Sequence, residues 1–455
     1  PIFFDVINEL AVDIFNIKKI NKIFEIRHLT NFLFFFLSTI FFFKLIFKRF
    51  ENFNYGLLAV VLVFFSPRIF VESFYNSKDI LFLSLTIINL YYIFEFFENK
   101  NLKNLILFSV SSGLLINTRI MGLIIFAIVC SIVLFDSIDI KKELYENTKK
   151  ILLSVFICFF VVFIFWPYIW SDPLNNISSY FNFLKSGGNI VVTNLYFGEI
   201  INSNNTPWHY LLSWIAISIP LTSLILSLIG LTIILTQFSK RLLNLEKTNI
   251  LWKNNLERND FTILIIFLSV LLASFLYEHN WDGWRHYYFI YPLMIYFSIC
   301  GLNSLSEYNL NLFKIVIFVT LVNYSYTIYW IFKNHPHQYV YFNSIKKNMI
   351  NKKFDLDWWG MGLKNSLSYI LNNDNNNKIK ISSIGEVDLN SSIKIFEINK
   401  ANKFIVTNIE QADYVLEVFR PKIDIENTSA LKNFNKYYEL KIDNNLINIV
   451  YKRND

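Results

Sequence analysis

Apolar residues in this chain come in long blocks, not in the alternation of half-buried strands or the stripe of surface helices. Ten blocks stand out, at 30–49, 54–67, 80–98, 104–118, 120–136, 150–170, 209–237, 261–277, 287–303 and 312–332. About 20 apolar residues in a helix cross the hydrocarbon core of a bilayer, and fewer suffice where flanking polar groups snorkel. Each block therefore predicts a spanning helix, with 54–67 and 104–118 the shortest. Near residue 333 the pattern changes, and Asn and Lys replace the Phe runs. Segments rich in β-branched residues at 378–384, 403–407 and 414–419 read as short strands. Segments 438–442 and 447–451 flank Asp443-Asn444-Asn445 and read as a hairpin. The Asn-rich run 372–377 reads as loop filler, and no internal repeat is present. The predicted fold class is an α-helical polytopic membrane protein with a small C-terminal soluble α/β or α+β domain. Residues 1–29 form an outer N-terminal segment, 30–332 the transmembrane domain of about ten helices, and 333–455 the soluble domain.

Composition excludes the alternatives. Of 455 residues, 54% are hydrophobic and 17% charged, against roughly 45–50% and about 25% in soluble proteins. A single soluble core stops growing at roughly 250–300 residues, so it could not hide 48 Phe. Disorder and coiled coil fall to the same figures. The net charge of +7 is no nucleic-acid signal, because most cations lie in short loops between spans. One alternate set of loops carries Lys44, Lys48 and Arg49; Lys100 and Lys103; Lys141, Lys142, Lys149 and Lys150; and Lys240, Arg241, Lys247, Lys253 and Arg258. The positive-inside rule makes these loops cytoplasmic. Segments 1–29, 68–79, 118–120, 171–208, 278–286 and everything after 333 then face outward. Cys130, Cys158 and Cys300 all lie in apolar runs and form no disulfide framework.

Outward segments are poor in cations, so the exceptions carry information. Arg68 and Lys78 lie in the segment Ser66–Asp79, and Arg119 lies in Asn117-Thr118-Arg119-Ile120-Met121-Gly122 with almost no loop around it. Arg285 and His286 directly precede a span. A cation at mid-membrane costs about 2.5–3.5 kcal/mol and less near the interface. Snorkelling accounts for Arg68 alone, but Arg119 has no loop to snorkel into. For the group, an anionic ligand is the better account. Asp79, beside Lys78 at the start of a span, has two readings. One is an acid favoured by the helix dipole. The other is a carboxylate held at the membrane surface for general-base or metal-binding work. Asp282 and Glu278 are further candidates of this kind, and His209 reads as an interfacial residue of the aromatic belt. No spacing matches a zinc site, a Walker loop, a GxSxG elbow or a dinucleotide fingerprint.

The order of motifs resembles the GT-C glycosyltransferases of the protein O-mannosyltransferase and lipid A aminoarabinose transferase type (family 39-like). It is carried by Glu25-Ile26-Arg27-His28, the Pro67 turn with Asp79, Gly113 followed by Asn117–Gly122, Thr206-Pro207-Trp208-His209-Tyr210 and Trp284-Arg285-His286-Tyr287-Tyr288-Phe289-Ile290-Tyr291-Pro292. The resemblance covers roughly 1–332. The segment His335–Asn343 with Asp357-Trp358-Trp359-Gly360 is similar to a bacterial subgroup with a soluble outer tail. The resemblance implies transfer of a hexose or pentose from a polyprenyl-phosphate carrier to a lipid, glycan or protein acceptor. The site would lie on the periplasmic side of the plasma (inner) membrane, among membrane lipids and without nucleic acid. By position, Asp79 matches the acid of the second outer loop. Arg119 and Arg285 match residues that contact donor phosphate, and Arg27 a basic residue ending the first outer loop. Arg68, Lys78, Asp282 and His286 join them as candidate substrate-binding residues. The family's principal catalytic acid lies upstream of the position of Pro1, so the expectation is a chain truncated at its N-terminus without that acid. No cofactor is implied with certainty; a divalent metal would have Asp79 and its neighbours as ligands.

The chemistry is consistent with this on independent grounds. A glycosyl transition state builds positive charge on the sugar and negative charge on the departing phosphate. Arginines would stabilise the phosphate while a carboxylate deprotonates the acceptor hydroxyl. The alternative is a transporter or flippase of an anionic lipid-linked substrate, but such proteins place polar groups at mid-membrane, and these spans are nearly free of charge. A non-catalytic assembly protein would leave the outward arginines unexplained.

Overall fold

The computed structural model describes residues 2–136, 141–185, 191–243, 251–276, 280–343, 350–385, 387–419 and 429–454. Among the described residues, fourteen α-helices precede the C-terminal domain: α1 (Ile2–Ile14), α2 (Ile20–Phe50), α3 (Phe53–Phe64), α4 (Pro67–Tyr75), α5 (Asp79–Glu98), α6 (Leu102–Thr118), α7 (Gly122–Phe135), α8 (Lys141–Ile164), α9 (Pro173–Lys185), α10 (Tyr210–Ser218), α11 (Leu221–Leu242), α12 (Asn255–Leu276), α13 (Tyr291–Tyr308) and α14 (Leu310–Lys333). Seven are long and apolar enough to cross a bilayer by themselves: α2, α5, α8, α11, α12, α14, and α13 taken with the 3₁₀ turn that leads into it. α6 and α7 are shorter apolar helices, and α3 is followed by α4 at a bend of 68°. Every predicted block thus meets a helix among the described residues.

Three differences from the hydropathy reading have local causes. The block 209–237 is broken into α10 and α11 at Pro220, which lacks the N–H needed to continue a helix. α2 starts at Ile20, well before its apolar block. The outer N-terminal segment is not a loop: α1 lies on α2 and buries Phe3 and Phe4.

α5 and α13 are apolar on all sides and sit at the bundle centre. Exposed rings and aliphatics on α2, α8, α11 and α14, such as Phe36, Phe156, Phe160, Leu228 and Phe318, form the outer belt. An apolar surface of this kind faces lipid. α11 meets α13 backbone to backbone. A Cβ on Gly230 would stand 1.8 Å from the Phe297 carbonyl oxygen, and one on Gly301 would stand 2.9 Å from that of Leu226. Small residues allow this approach where lipid removes the hydrophobic drive for helix association.

The expected cytoplasmic cations collect at one end of the bundle and pair there. Lys48 meets Glu95 and Glu98, Arg49 meets Asp260, Arg241 meets Glu257, and Arg258 meets Asp136. Asp79 opens α5 and Glu98 closes it, about 30 Å apart along the axis.

At the Asp79 end, strands β1 (Thr193–Tyr196) and β2 (Glu199–Asn202) form a hairpin within the predicted outer loop. The soluble domain carries β3 (Ile379–Ile384), β4 (Phe404–Val406), β5 (Tyr414–Val418), β6 (Phe434–Ile442) and β7 (Asn445–Arg453), in spatial order β4-β3-β5-β7-β6. β3 runs parallel to β4 and β5, while β7 runs antiparallel to β5 and β6. This is a mixed sheet built from the five predicted segments. The β6–β7 turn places Asp443 and Asn444 at φ 52° and 68°, a left-handed conformation that Asn and Asp tolerate. The domain docks on the bundle: Trp330 Nε1 donates to Asp443 Oδ2 at 2.9 Å, and Leu440 and Ile447 join the membrane core.

Candidate active site

Between α4 and α5 the chain makes a compact polar corner. Pro67 opens α4, where its missing N–H is harmless. α4 ends at Asn76, whose Oδ1 accepts the Asp79 backbone N–H, the first of α5, at 3.0 Å. Its Nδ2 donates to Asp79 Oδ2 at 2.9 Å and to Glu72 Oε2 at 2.6 Å. One amide thus ties two buried carboxylates together. Glu72 Oε1 accepts the Tyr288 hydroxyl at 2.6 Å.

Asp79 is 2% exposed and lies at a helix N-terminus, where a negative charge is favoured. Two guanidiniums reach it from distant parts of the chain. Arg119 stands in extended conformation at the α6–α7 corner and ion-pairs with Asp79 Oδ1. Arg285 opens the 3₁₀ turn Arg285–Ile290; its Nη1 lies 3.4 Å from Asp79 Oδ2 and its Nε 2.8 Å from Asp282 Oδ2. Asp282 and Gly283 have φ of 55° and 65°. This left-handed pair turns the chain so that Arg285 faces inward and Trp284 is buried, its Nε1 donating to Ser218 Oγ at 2.7 Å. The far side of Arg285 is covered by the soluble domain, with the Trp359 ring at 4.9 Å and the Trp358 ring at 5.9 Å.

Arg68 lies beside this cluster, close to Gly283. It is 6% exposed and held between the Trp214 and Phe342 rings, each 5.0 Å away. Its Nε and Nη2 have no hydrogen-bond partner among the described residues. Such a group costs free energy until an acceptor arrives. Lys78 stands at the rim, its surface open but its ammonium partly desolvated. Partial burial, together with the Arg119 and Arg285 charges, holds its ammonium below the ordinary lysine pKa. His286 sits edge-on to Trp281 at 4.7 Å, within the field of Arg119, Arg285 and Lys78.

Of the predicted residues, Asp79, Lys78, Arg119, Asp282, Arg285 and His286 are therefore brought together, with Arg68 adjacent. Arg27 is not among Asp79's partners. It pairs with Asp5 at 2.5 Å and Glu9 at 3.7 Å, because α1 folds back on α2 and offers carboxylates nearer at hand. His209 bonds the Tyr196 hydroxyl at 2.8 Å on the outer hairpin. Glu278 lies outside the described residues. Among the described residues no group of three His, Cys, Asp or Glu is placed to hold a metal ion. Glu72 and Asn76 were not singled out by the sequence reading, and Tyr288 and the Trp358-Trp359 pair entered it only within motifs that carry the resemblance, with no role of their own. Glu72 carried a signal, being an acid one turn from Arg68 in the short helix α4; the tryptophans carried none that pointed to this site.

Residues 1–167, which include Arg68, Lys78, Asp79 and Arg119, match the family model of dolichyl-phosphate-mannose-protein mannosyltransferases. The whole chain superposes on the crystal structure of ArnT from Cupriavidus metallidurans bound to undecaprenyl phosphate, with a TM-score of 0.50. Identity is 9%, over 99% of this chain and 87% of that one. The fold is that of the GT-C glycosyltransferases. No curated protein sequence matches significantly. In this GT-C bundle the polar cluster occupies the end remote from the paired cytoplasmic-type cations, and the C-terminal domain closes over it through Trp358 and Trp359.

Proposed function

We propose that this protein is a membrane glycosyltransferase that takes a sugar from a polyprenyl-phosphate donor and passes it to an acceptor on the outer face of the plasma membrane. The observation that carries the reading is the convergence of Arg119 and Arg285 on one buried carboxylate, Asp79, beside a buried Arg68 with unpartnered N–H groups. Three guanidiniums and Lys78 stand among three carboxylates, Asp79, Asp282 and Glu72, so one positive charge is to spare, and planar forked donors match phosphate oxygens. The undecaprenyl phosphate in the ArnT crystal structure supports a phosphate-bearing isoprenoid as the ligand class.

The geometry suits a displacement at the sugar's anomeric carbon. The donor phosphate enters among Arg68, Arg119 and Arg285, and Asp79 gives up part of its hold on the two arginines. An acceptor hydroxyl oxygen attacks the anomeric carbon as the carbon–oxygen bond to phosphate breaks. The bonding pair leaves with the polyprenyl phosphate, whose growing charge the arginines stabilise in a site with little water. The acceptor proton passes to the Asp79 carboxylate. A membrane-surface site needs no nucleotide-binding domain, because the donor arrives by lateral diffusion.

The test is sugar transfer from a radiolabelled polyprenyl-phosphate donor in proteoliposomes. Asp79→Asn and Arg119→Ala should each lower transfer by at least about a hundredfold, the range for losing a group that acts in the transition state. Undiminished transfer in both, or donor translocation without transfer in the wild type, would overturn the proposal.

A further inference from the structure

The charged corner is built from membrane helices, yet one wall of it comes from the soluble domain. Asp357 Oδ1 and Oδ2 accept the backbone N–H groups of Met361 and Gly362 at 2.8 and 2.7 Å. Between them Gly360 stands at φ 66°, where a side chain would be strained. Gly362 packs so closely on β7 that a Cβ there would lie 2.5 Å from Asn448 Nδ2. The turn 357–362 is therefore fixed both to itself and to the sheet. It carries two tryptophans of opposite character: Trp358 is 7% exposed, whereas Trp359 is 41% exposed. The Trp359 ring is held by the Arg285 guanidinium at 4.9 Å and by the Tyr75 ring at 5.6 Å, tilted by 59°. Trp214, Trp284 and Phe342 at the same site are all buried. Trp170 and Trp208 are exposed too, but each stands beside an end of an apolar helix, α8 or α10, where tryptophan belongs to the membrane interface. Trp359 lies on the soluble domain and against charge, so that account does not reach it. A rigid, open indole beside a few convergent polar groups is a surface that a ligand covers.

We propose that Trp359 is the surface on which the donor's sugar lies, so that the soluble domain supplies the sugar-recognising wall of the site. This rests on the donor reading given above. The anomeric carbon is one bridging oxygen away from the phosphorus. A phosphate forked on Arg285 therefore brings the sugar beside the ring that stands on that same guanidinium. A pyranose carries C–H bonds on its ring faces and hydroxyls around its edge. The C–H groups meet the negative face of an indole and leave the hydroxyls to polar partners. A hexopyranose gains more from such a face than a pentose does, because C6 adds apolar area. A cationic amino sugar would share the ring with the Arg285 guanidinium, like charge against like. The class selected is a neutral hexopyranose.

The test is binding without turnover, to the full chain in detergent. The probes are bare polyprenyl phosphate and polyprenyl phosphate linked to glucose, galactose or mannose. The readout is the ratio of affinities, sugar-linked over bare, for each variant, so that a general loss of stability or of phosphate binding cancels. In the wild type at least one of the three hexoses should raise affinity over the bare lipid. Trp359→Ala should lower that ratio about tenfold, and Trp359→Tyr, which keeps an aromatic face, should retain most of it. A ratio unchanged in Trp359→Ala would mean that the indole serves only Arg285 and would overturn the proposal. So would a wild type that gains nothing from any of the three sugars. A ratio that behaves as expected in a protein that transfers no sugar in proteoliposomes would count against the transferase reading and leave the sugar wall standing.

Discussion

At the scale of single residues, the Asp79 corner is a set of mutually dependent charges. Asp79 satisfies two arginines that are themselves largely buried, with side-chain exposures of 17% for Arg119 and 13% for Arg285. Removing one partner of a buried pair strands the other and costs about 3 kcal/mol or more. Asp79→Asn should therefore lower the melting temperature in detergent as well as transfer. The D79N/R119Q double variant should recover part of the lost stability while transfer stays abolished; additive melting shifts would mean that the two residues do not interact. Arg68 makes a different prediction. Its stacking between Trp214 and Phe342 is worth up to about 2 kcal/mol when desolvated, and lysine keeps the charge without the plane or the fork. Arg68→Lys should cost about tenfold in transfer at low donor, with KM for the donor rising, and the lost stacking should lower the melting temperature. A KM equal to wild type would remove Arg68 from the donor site. The sequence made Arg68, Arg119 and Arg285 visible because a cation on the outward side of a span is unusual. It left the Glu72–Tyr288 bond unforeseen, since a hydrogen bond between residues 216 positions apart has no local signature.

At the scale of elements, hydropathy located every span but not every break. Pro220 lies within a continuous apolar run, so transfer free energy along the sequence is blind to the kink between α10 and α11, while backbone hydrogen bonding is not. The glycines act the other way, as contacts and not as breaks. Gly230 of α11 and Gly301 of α13 let two helices meet with main-chain atoms almost touching. Gly230→Ala has no room without moving α13, whose lead-in carries Arg285. It should destabilise the protein by about 1–3 kcal/mol, the usual cost of overpacking, and lower transfer with it. Unchanged melting and activity would mean that the α11–α13 contact does not set the position of Arg285.

For the whole molecule, alternation of loop charge predicts a single sidedness: the Asp79 cluster, α9 and the C-terminal domain outside, the ion-paired Lys48, Arg49, Arg241 and Arg258 inside. Cysteine accessibility checks this directly in sealed cells. Asn175→Cys and Asn373→Cys should react with an impermeant maleimide from outside, whereas Lys103→Cys should react only after permeabilisation. Labelling of Asn373→Cys and Lys103→Cys from the same side would refute the assignment. By itself the sequence determined the membrane class, where the apolar helices lie, their expected orientation and the five strands of the tail. These follow from local transfer energies and charge, which a chain carries in one dimension. Only the tertiary structure decided that Arg119 and Arg285 share Asp79, that Arg27 turns to Asp5, and that Trp358 and Trp359 of the tail cover the site. Those outcomes depend on which helix ends are packed side by side, and close contacts such as Gly230 against Phe297 set that arrangement between residues whose separation in the chain carries no energetic signal.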